Sequence, residues 1–148
     1  MDSKLYFEDL EIGMIIEGDE VVVEHSEMIE FARRFDPQPF HLDKSAAQRL
    51  SFQDVIASGA YTFALGTRAM QPVVHRLAFL PSGLGFELSF KSPVYAGDRL
   101  KFRSAVAELR PSSKPRRGVA TMKHEFTNQR GESVLGISVV WLIATRAA

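Results

Sequence analysis

The first half of the chain carries apolar residues at helical spacing. Four of them follow at i, i+3, i+4 and i+7, which places them on one face of a helix: Met28, Phe31, Ala32 and Phe35. Ser26 has a side chain suited to the N-cap of this helix, and Pro37 cannot lie in a helix interior. We therefore expect a helix that ends just before Pro37 and presents Asp36 at its C-terminal end.

A second helical segment, residues 60–70, has no polar face. Its one charge is Arg68, and Ser58 and Pro72 mark its start and its end. A helix that is apolar nearly all round is usually buried. Small side chains would let a sheet approach this helix closely: Ala60, Ala64, Gly66 and Ala69. A shorter helix over residues 44–50, capped by Asp43, is predicted to precede it.

The second half of the chain is typical of β-strands. Four long segments are rich in β-branched and aromatic residues: residues 84–90, 100–109, 118–127 and 134–144. Turn compositions at 111–118 and 128–131 join the last three segments, which predicts an antiparallel meander. The last segment is apolar on both faces, as in a central strand. With short extended pieces at 14–16 and 21–23, the pattern predicts one α+β domain over residues 1–148.

Composition narrows the class of protein. The 148 residues are 45% hydrophobic and 24% charged, which is ordinary for a soluble globular domain. Eighteen basic and eighteen acidic residues cancel, so nothing global indicates nucleic acid or an anionic membrane surface. The absence of cysteine excludes disulfides and thiolate chemistry. The first residues lack a signal-peptide pattern, and the apolar run at 139–144 is too short to span a bilayer, so we expect a cytoplasmic protein.

The candidate chemistry lies between Phe35 and Asp43, a segment that contains two prolines. The residue before a proline is driven toward extended conformations, which acts here on Asp36 and Gln38. Asp36 and His41 are therefore expected on a stiff loop, where a carboxylate beside an imidazole can hold and deprotonate a water. The same residues are also compatible with a helix end followed by a turn, without any chemistry.

This segment resembles the signature of the MaoC-like dehydratases, the (R)-specific enoyl-CoA hydratases. Asp36, Pro39 and His41 stand at the spacing of the family's Gly-Asp-x-Asn-Pro-x-His motif. Later segments are similar to the family's Ala-rich helix, its Ile-Ala-His-Gly step and its Pro-Val-x-x-Gly-Asp-x-Leu strand entry: residues 46–47, 56–59 and 90–100. The opening at residues 6–13 is also similar, so the resemblance spans nearly the whole chain.

Three residues depart from the family pattern: Phe35 in place of Gly, Gln38 in place of Asn, and Ser58 in place of a frequent His. Losing the glycine removes easy access to positive φ just before the acid. Gln38 keeps the amide but lengthens the side chain by a methylene. Ser58 suits a helix N-cap, and it could instead contact Asp36. None of these changes touches the Asp36 and His41 pair.

The resemblance implies a hot-dog fold, in which an antiparallel sheet wraps around a central apolar helix. It also implies the addition of water to an acyl thioester, or its removal, with trans-2-enoyl-CoA and (R)-3-hydroxyacyl-CoA as the expected pair. Asp36 and His41 would hold the water and move the protons, and either could be the base. The Gly59 N–H, at the start of the apolar helix, would bind the thioester oxygen. Gly59 could otherwise serve only close packing.

Binding residues follow from the same resemblance. Gln38 and Ser58 are expected to contact the substrate beside the catalytic pair. The phosphates of CoA call for cations, and one turn holds a dense basic cluster, which is otherwise a solvated turn: Lys114, Arg116 and Arg117. Lys91 and Arg99 are weaker candidates for this role. No metal-ligand pattern is present, so neither a metal nor an organic cofactor is expected.

Assembly and competing functions complete the prediction. A small subunit of this fold has a sheet edge to protect, and edge-to-edge pairing predicts a homodimer or an assembly of dimers. A second function class is a thioesterase, which would use a carboxylate and a helix N-terminus on the same fold. A third is an acyl-CoA-binding or structural protein without catalysis. Release of free thiol would identify the thioesterase, and binding without turnover would identify the binder.

Overall fold

The computed structural model describes residues 3–82 and 84–146. It contains four α-helices: α1 (His25–Phe35), α2 (Lys44–Arg49), α3 (Gly59–Ala69) and α4 (Gln71–Arg76). It contains six strands: β1 (Ile15–Val22), β2 (Phe79–Leu80), β3 (Phe86–Phe90), β4 (Arg99–Pro111), β5 (Arg117–Thr127) and β6 (Ser133–Ala144). Two 3₁₀ turns lie at Phe7–Asp9 and Pro39–His41. Within the described residues, no helix is long and apolar enough to cross a membrane.

The strands form one antiparallel sheet in the order β1-β4-β5-β6-β2, and β3 pairs with β6 beside β2. The predicted meander of the last three strands is confirmed, and β6 is the central strand that its two apolar faces indicated. The two short extended pieces near the start are a single strand, β1, whose register with β4 is irregular between Glu17 and Glu20. The small strand β2 was not predicted.

The core lies between the sheet and α3. Alternation along β4 buries Leu100, Phe102 and Val106 while Lys101 and Arg103 point to solvent, as expected for a sheet with one covered face. The largest fully buried side chains are contributed by three strands of the meander and by α1: Phe102, Phe126, Trp141 and Met28. Burying such side chains stabilises the fold by about 1.5–3 kcal/mol each.

The helix α3 is buried on one side only. Tyr61, Leu65 and Ala69 are buried against the core, whereas Ala60 and Ala64 are exposed. The expectation of a helix buried all round is therefore wrong for a single chain. The physical reason is that the sheet covers one face of α3 and leaves the opposite face open, on which Thr67 and Arg68 also lie.

Of three predicted helix ends, one is confirmed and two differ from the prediction. Asp43 caps α2 as predicted, because its carboxylate accepts a hydrogen bond from the Ala46 N–H at 2.9 Å. Ser26 is not an N-cap, because α1 already begins at His25 and Glu24 occupies the cap position. Pro72 does not simply stop α3: it occupies the first turn of α4, where a missing N–H costs nothing.

Candidate active site

The end of α1 places the acid. Asp36 is the C-cap residue, its N–H donates to the Ala32 carbonyl at 2.9 Å, and Pro37 prevents a further helical turn. The chain then makes the 3₁₀ turn Pro39–His41, which folds His41 back toward Asp36. His41 Nε2 lies 3.3 Å from Asp36 Oδ2, and the imidazole is only 6% exposed. The loop expected from the proline pattern thus brings the acid and the imidazole together.

A backbone carbonyl orients the His41 ring. Nδ1 lies 2.7 Å from the Ile56 carbonyl oxygen, which can only accept, so Nδ1 carries the proton of the neutral ring. Nε2 is then the nitrogen with a free lone pair, and it faces the Asp36 carboxylate. The Phe40 ring packs edge-on against the imidazole, with centroids 4.5 Å apart. This geometry presents Nε2 as a proton acceptor.

Two side chains donate hydrogen bonds to the Asp36 carboxylate. Ser58 Oγ donates to Oδ2 at 2.7 Å, and Gln38 Nε2 donates to Oδ1 at 3.0 Å. The Ser58 bond, followed by the Gln38 bond, lowers the pKa of Asp36 below its usual value, with a smaller contribution from the nearby His41 and against a small opposing effect of burial. Asp36 is therefore a carboxylate at neutral pH.

These contacts assign roles to two of the departures from the family pattern. Ser58 stands at the N-cap position of α3, but its hydroxyl makes no cap hydrogen bond there. The capping role expected for it is wrong, and the alternative, a contact with Asp36, is correct. The longer Gln38 amide reaches the other carboxylate oxygen. The third departure, Phe35, is exposed at the end of α1 and packs against Phe31 at 5.1 Å between ring centroids.

Gly59 is the first residue of α3. The first backbone bond of the helix runs from Thr62 N–H to the Ser58 carbonyl, so the Gly59 N–H precedes the intrahelical ladder. A Cβ at Gly59 would lie 3.0 Å from the Phe90 ring, which is too close for an undisturbed side chain. Both roles considered for Gly59, close packing and an open N–H at a helix start, are compatible with this position.

His41 and Gly59 line a common cavity of about 430 Å³. Its other walls come from the segments around α3 and β3: Phe52, Ile56, Ala57, Thr62, Phe90, Lys91, Ser92, Pro93, Val94 and Val134. The walls are mostly apolar, and the polar side chains among them are those of His41, Thr62, Lys91 and Ser92. A larger concavity of about 640 Å³ lies on the outer face of the sheet, but it contains none of Asp36, His41 and Gly59, so we place the site in the smaller one.

The basic turn lies away from this cavity. Arg117 pairs with Ala144, at the far end of β6 from the cavity residue Val134. Ten residues of strand separate these two positions, which is roughly 30 Å. Lys114 and Arg116, on the same turn, are equally remote within one chain. Lys91, which was ranked below this cluster, is the cation that lines the cavity.

Some members of the site had no signal in the sequence. The Ile56 carbonyl that orients His41 is a backbone group, so no residue type could announce it. Phe90 was indicated only by its place in the segment that resembles the family's strand entry, whereas Lys91 was also named, for its charge, as a weaker candidate for binding phosphate. Among the described residues, no cluster of three His, Cys, Asp or Glu side chains could hold a metal ion.

Comparison with known proteins gives this geometry a context. Residues 9–128 match the family model described as MaoC like domain. The chain is 34% identical over 125 residues to the 3-hydroxybutyryl-CoA dehydratase of Methylorubrum extorquens, covering 79% of this chain and 73% of that protein. The crystal structure of a MaoC-like dehydratase from Rhodospirillum rubrum has a TM-score of 0.87 at 34% identity, covering 97% of this chain and 99% of that one. The (R)-hydratase from A. caviae has a TM-score of 0.64 at 29% identity, covering 88% and 96%.

Proposed function

Because the chain belongs to the MaoC-like dehydratase family, we propose that it adds water to trans-2-enoyl-CoA to give (R)-3-hydroxyacyl-CoA, and catalyses the reverse dehydration. The observation that carries this proposal is the 3.3 Å approach of His41 Nε2 to the Asp36 carboxylate, beside a cavity that also contains the start of α3. Family membership itself supports the coarser assignment, a hydratase or dehydratase.

We assign the base role to His41. Its Nε2 accepts a proton from water while the water oxygen attacks the β-carbon of the enoyl group. The Asp36 carboxylate, which accepts hydrogen bonds from Ser58 and Gln38, accepts a further hydrogen bond from the O–H that the water keeps, and it stabilises the imidazolium that forms. The proton then passes from Nε2 to the α-carbon. The product therefore gains one hydroxyl and one hydrogen, both from a single water.

Gly59 would stabilise the enolate. Attack at the β-carbon moves charge onto the thioester oxygen, and an N–H at a helix start can donate to that oxygen. Loss of one such donor typically costs about 3 kcal/mol of transition-state stabilisation. The absence of a side chain at Gly59 lets the Phe90 ring pack against the start of α3, and no Cβ of Gly59 covers its N–H.

The cavity supports a short acyl group. Its volume of about 430 Å³ must also accommodate the thioester and the attacking water. The relative from Methylorubrum extorquens carries the name of a four-carbon thioester dehydratase, which agrees with a short chain. We propose Lys91, on the cavity wall, as the cation nearest to the phosphates of CoA, in place of the remote basic turn.

A second copy of the chain would complete the cavity. The open edge of β3 and the uncovered face of α3 form one apolar surface: Ala60, Phe63, Ala64, Phe86, Leu88 and Phe90. Phe90 is 54% exposed although it also lines the cavity, so a molecule that covers it would close the cavity wall. We propose a homodimer through this surface. Light scattering that detects only monomer would contradict it.

The test is loss of the conjugated-enoyl absorbance in a panel of trans-2-enoyl-CoA thioesters, with the Asp36→Asn variant as control. We expect wild type alone to consume the absorbance, most rapidly with short chains. Release of free CoA thiol would indicate a thioesterase instead. Binding of the thioesters without any change in absorbance would indicate a non-catalytic acyl-CoA-binding protein.

A further inference from the structure

The loop between β3 and β4 contains a buried carboxylate that the proposed chemistry does not use. Asp98 is 4% exposed, and both of its oxygens accept hydrogen bonds: Oδ1 from Gln129 Nε2 at 2.9 Å and Oδ2 from the Tyr95 N–H at 3.0 Å. Arg130 Nη1 stays 3.9 Å from Oδ1, beyond hydrogen-bond distance. The carboxylate thus joins its own loop to the turn between β5 and β6.

The bond from Tyr95 closes a tight turn. The Asp98 N–H donates to the Tyr95 carbonyl at 3.1 Å, and Gly97, the third residue of the turn, has φ +90°. A positive φ at the third position is typical of a type II turn and favours glycine there. The side chain of Asp98 therefore adds a second bond across a turn that the backbone already closes, which fixes its shape.

This turn holds both segments of the candidate active site. On one side, the Ala57 N–H donates to the Val94 carbonyl at 2.8 Å, and Ala57 leads directly into Ser58 and Gly59. On the other side, the Val23 N–H donates to the Asp98 carbonyl at 2.9 Å, and the Gly97 N–H donates to the Val23 carbonyl at 2.8 Å.

Val23 lies just before Glu24, the N-cap of α1, and Asp36 is the C-cap of the same helix. The segment with the proposed oxyanion donor and the segment with the acid are thus attached to one short loop. A shift of that loop would move one part of the site relative to the other.

We propose that Asp98 is a positioning residue for this reaction, which sets the place of Gly59 relative to Asp36 through the Pro93–Asp98 loop. The inference rests on the proposed hydratase function. Two carboxylate oxygens are required because the Tyr95 N–H and Gln129 Nε2 are both donors. Gln129 is not free to turn, since its Oε1 already accepts from the Arg99 N–H at 3.0 Å.

Asp98→Asn tests this requirement with almost no change in shape. In either orientation, the new amide presents an N–H to one of the two donors, so one hydrogen bond is lost. We expect kcat to fall about tenfold and KM to change by less than about twofold, because small displacements of catalytic groups affect the transition state most. Arg130→Gln is the matched control, since it removes a charge near the same carboxylate without removing a hydrogen bond to it.

Amide hydrogen exchange provides a second measurement that does not depend on activity. Exchange of the Ala57 N–H should accelerate about tenfold in Asp98→Asn, as expected for a loosened hydrogen bond. The Ala144 N–H, which bonds to Ala78 at the far end of the sheet, should keep its wild-type rate. If Asp98→Asn does not fold, Gln129→Ala removes the donor to Oδ1, together with the acceptor of the Arg99 N–H, and leaves the Tyr95 bond in place. It should shift kcat and Ala57 exchange in the same directions by less.

Each outcome decides a separate point. Unchanged Ala57 exchange, or accelerated exchange with wild-type kcat, would overturn the positioning role, as would a rise in KM that matches the fall in kcat. If wild type hydrates no enoyl thioester, the proposed function fails. Faster Ala57 exchange would then still establish that Asp98 holds the segment before Gly59.

Discussion

Two histidines of this protein are almost equally buried but differ in the groups beside their ring nitrogens. His41 is 6% exposed and His124 is 3% exposed. His41 has a carbonyl at Nδ1 and a carboxylate at Nε2. His124 bonds to Ser104 Oγ through Nδ1 at 2.9 Å, and its Nε2 has no hydrogen-bond partner among the described residues.

The groups packed around each ring explain why the two histidines have different chemistry. The His124 ring lies between Phe102 and Trp141, with centroids at 4.9 and 5.0 Å, and burial lowers its pKa to about 4. This neutral ring, packed between two aromatic rings, has no carboxylate of the described residues at its free nitrogen. The Ile56 carbonyl holds the His41 ring at Nδ1 and leaves Nε2 facing the Asp36 carboxylate. Burial alone therefore does not distinguish His41, the proposed base, from a core histidine; the groups at the two ring nitrogens do.

The largest expected effect concerns turnover. His41→Ala should reduce the rate of enoyl-CoA hydration by about 10²–10⁴-fold, because the proposed general base is removed. The control is the double variant Ser104→Ala/His124→Phe, which replaces both partners of the core hydrogen bond and should keep near-normal turnover. Steady-state rates and thermal melting of both variants measure this. Full activity in His41→Ala would refute the assignment of the base.

The second prediction concerns acid stability. His124 has a pKa of about 4 in the folded protein against 6.5 in the unfolded chain, so the unfolded state binds more protons between these values. The contribution of neutral His124 to the free energy of unfolding is fully present above pH 6.5. It should fall by about 3 kcal/mol as the pH drops to 4.

Denaturant unfolding at several pH values tests this slope, which should disappear in Ser104→Ala/His124→Phe. The lowered pKa of Asp36 acts in the same direction, but only as the pH falls below its ordinary value of 3.8. The two contributions therefore separate by pH. A double variant with an unchanged slope between pH 6.5 and 4 would show that another group is responsible.

The third prediction concerns Asp36, the carboxylate that lies beside His41 and has no counterpart beside His124 in the described part of the chain. Ser58→Ala removes the hydrogen bond to Asp36 Oδ2, so the pKa of Asp36 should rise toward its usual value. We expect kcat/KM to fall about tenfold, since a hydrogen bond to a charged group contributes about 1.5–3 kcal/mol. The acid limb of the pH–rate profile should move to higher pH. Thr67→Ala, which removes an exposed hydroxyl that bonds within α3, should change neither.

The smallest effect is expected at Gln38. Gln38→Ala removes the donor to Asp36 Oδ1, but this hydrogen bond is exposed to solvent. Water can replace the amide, so kcat/KM should fall only about two- to threefold. An effect at Gln38 as large as that at Ser58 would mean that the solvent-facing oxygen of Asp36, rather than the one near His41, contacts the reactants.

Local signals in the sequence were sufficient for much of this protein. The helix before Pro37, the cap at Asp43 and the three-stranded meander depend on neighbouring residues, and all three are confirmed. The family resemblance and its hot-dog fold are confirmed as well. The proximity of Asp36 and His41 was predictable for the same reason, because two prolines within five residues allow the chain few other paths.

Only the tertiary structure decided which groups surround that pair. The hydroxyl that lowers the pKa of Asp36 is 22 residues away, and the carbonyl that orients His41 is 15 residues away. The remoteness of the basic turn, the place of Lys91 on the cavity wall and the open face of α3 likewise depend on how the sheet folds around the helix. A sequence pattern constrains the conformation of adjacent residues through steric and hydrogen-bonding preferences, whereas distant residues meet only where packing of the whole core brings them together.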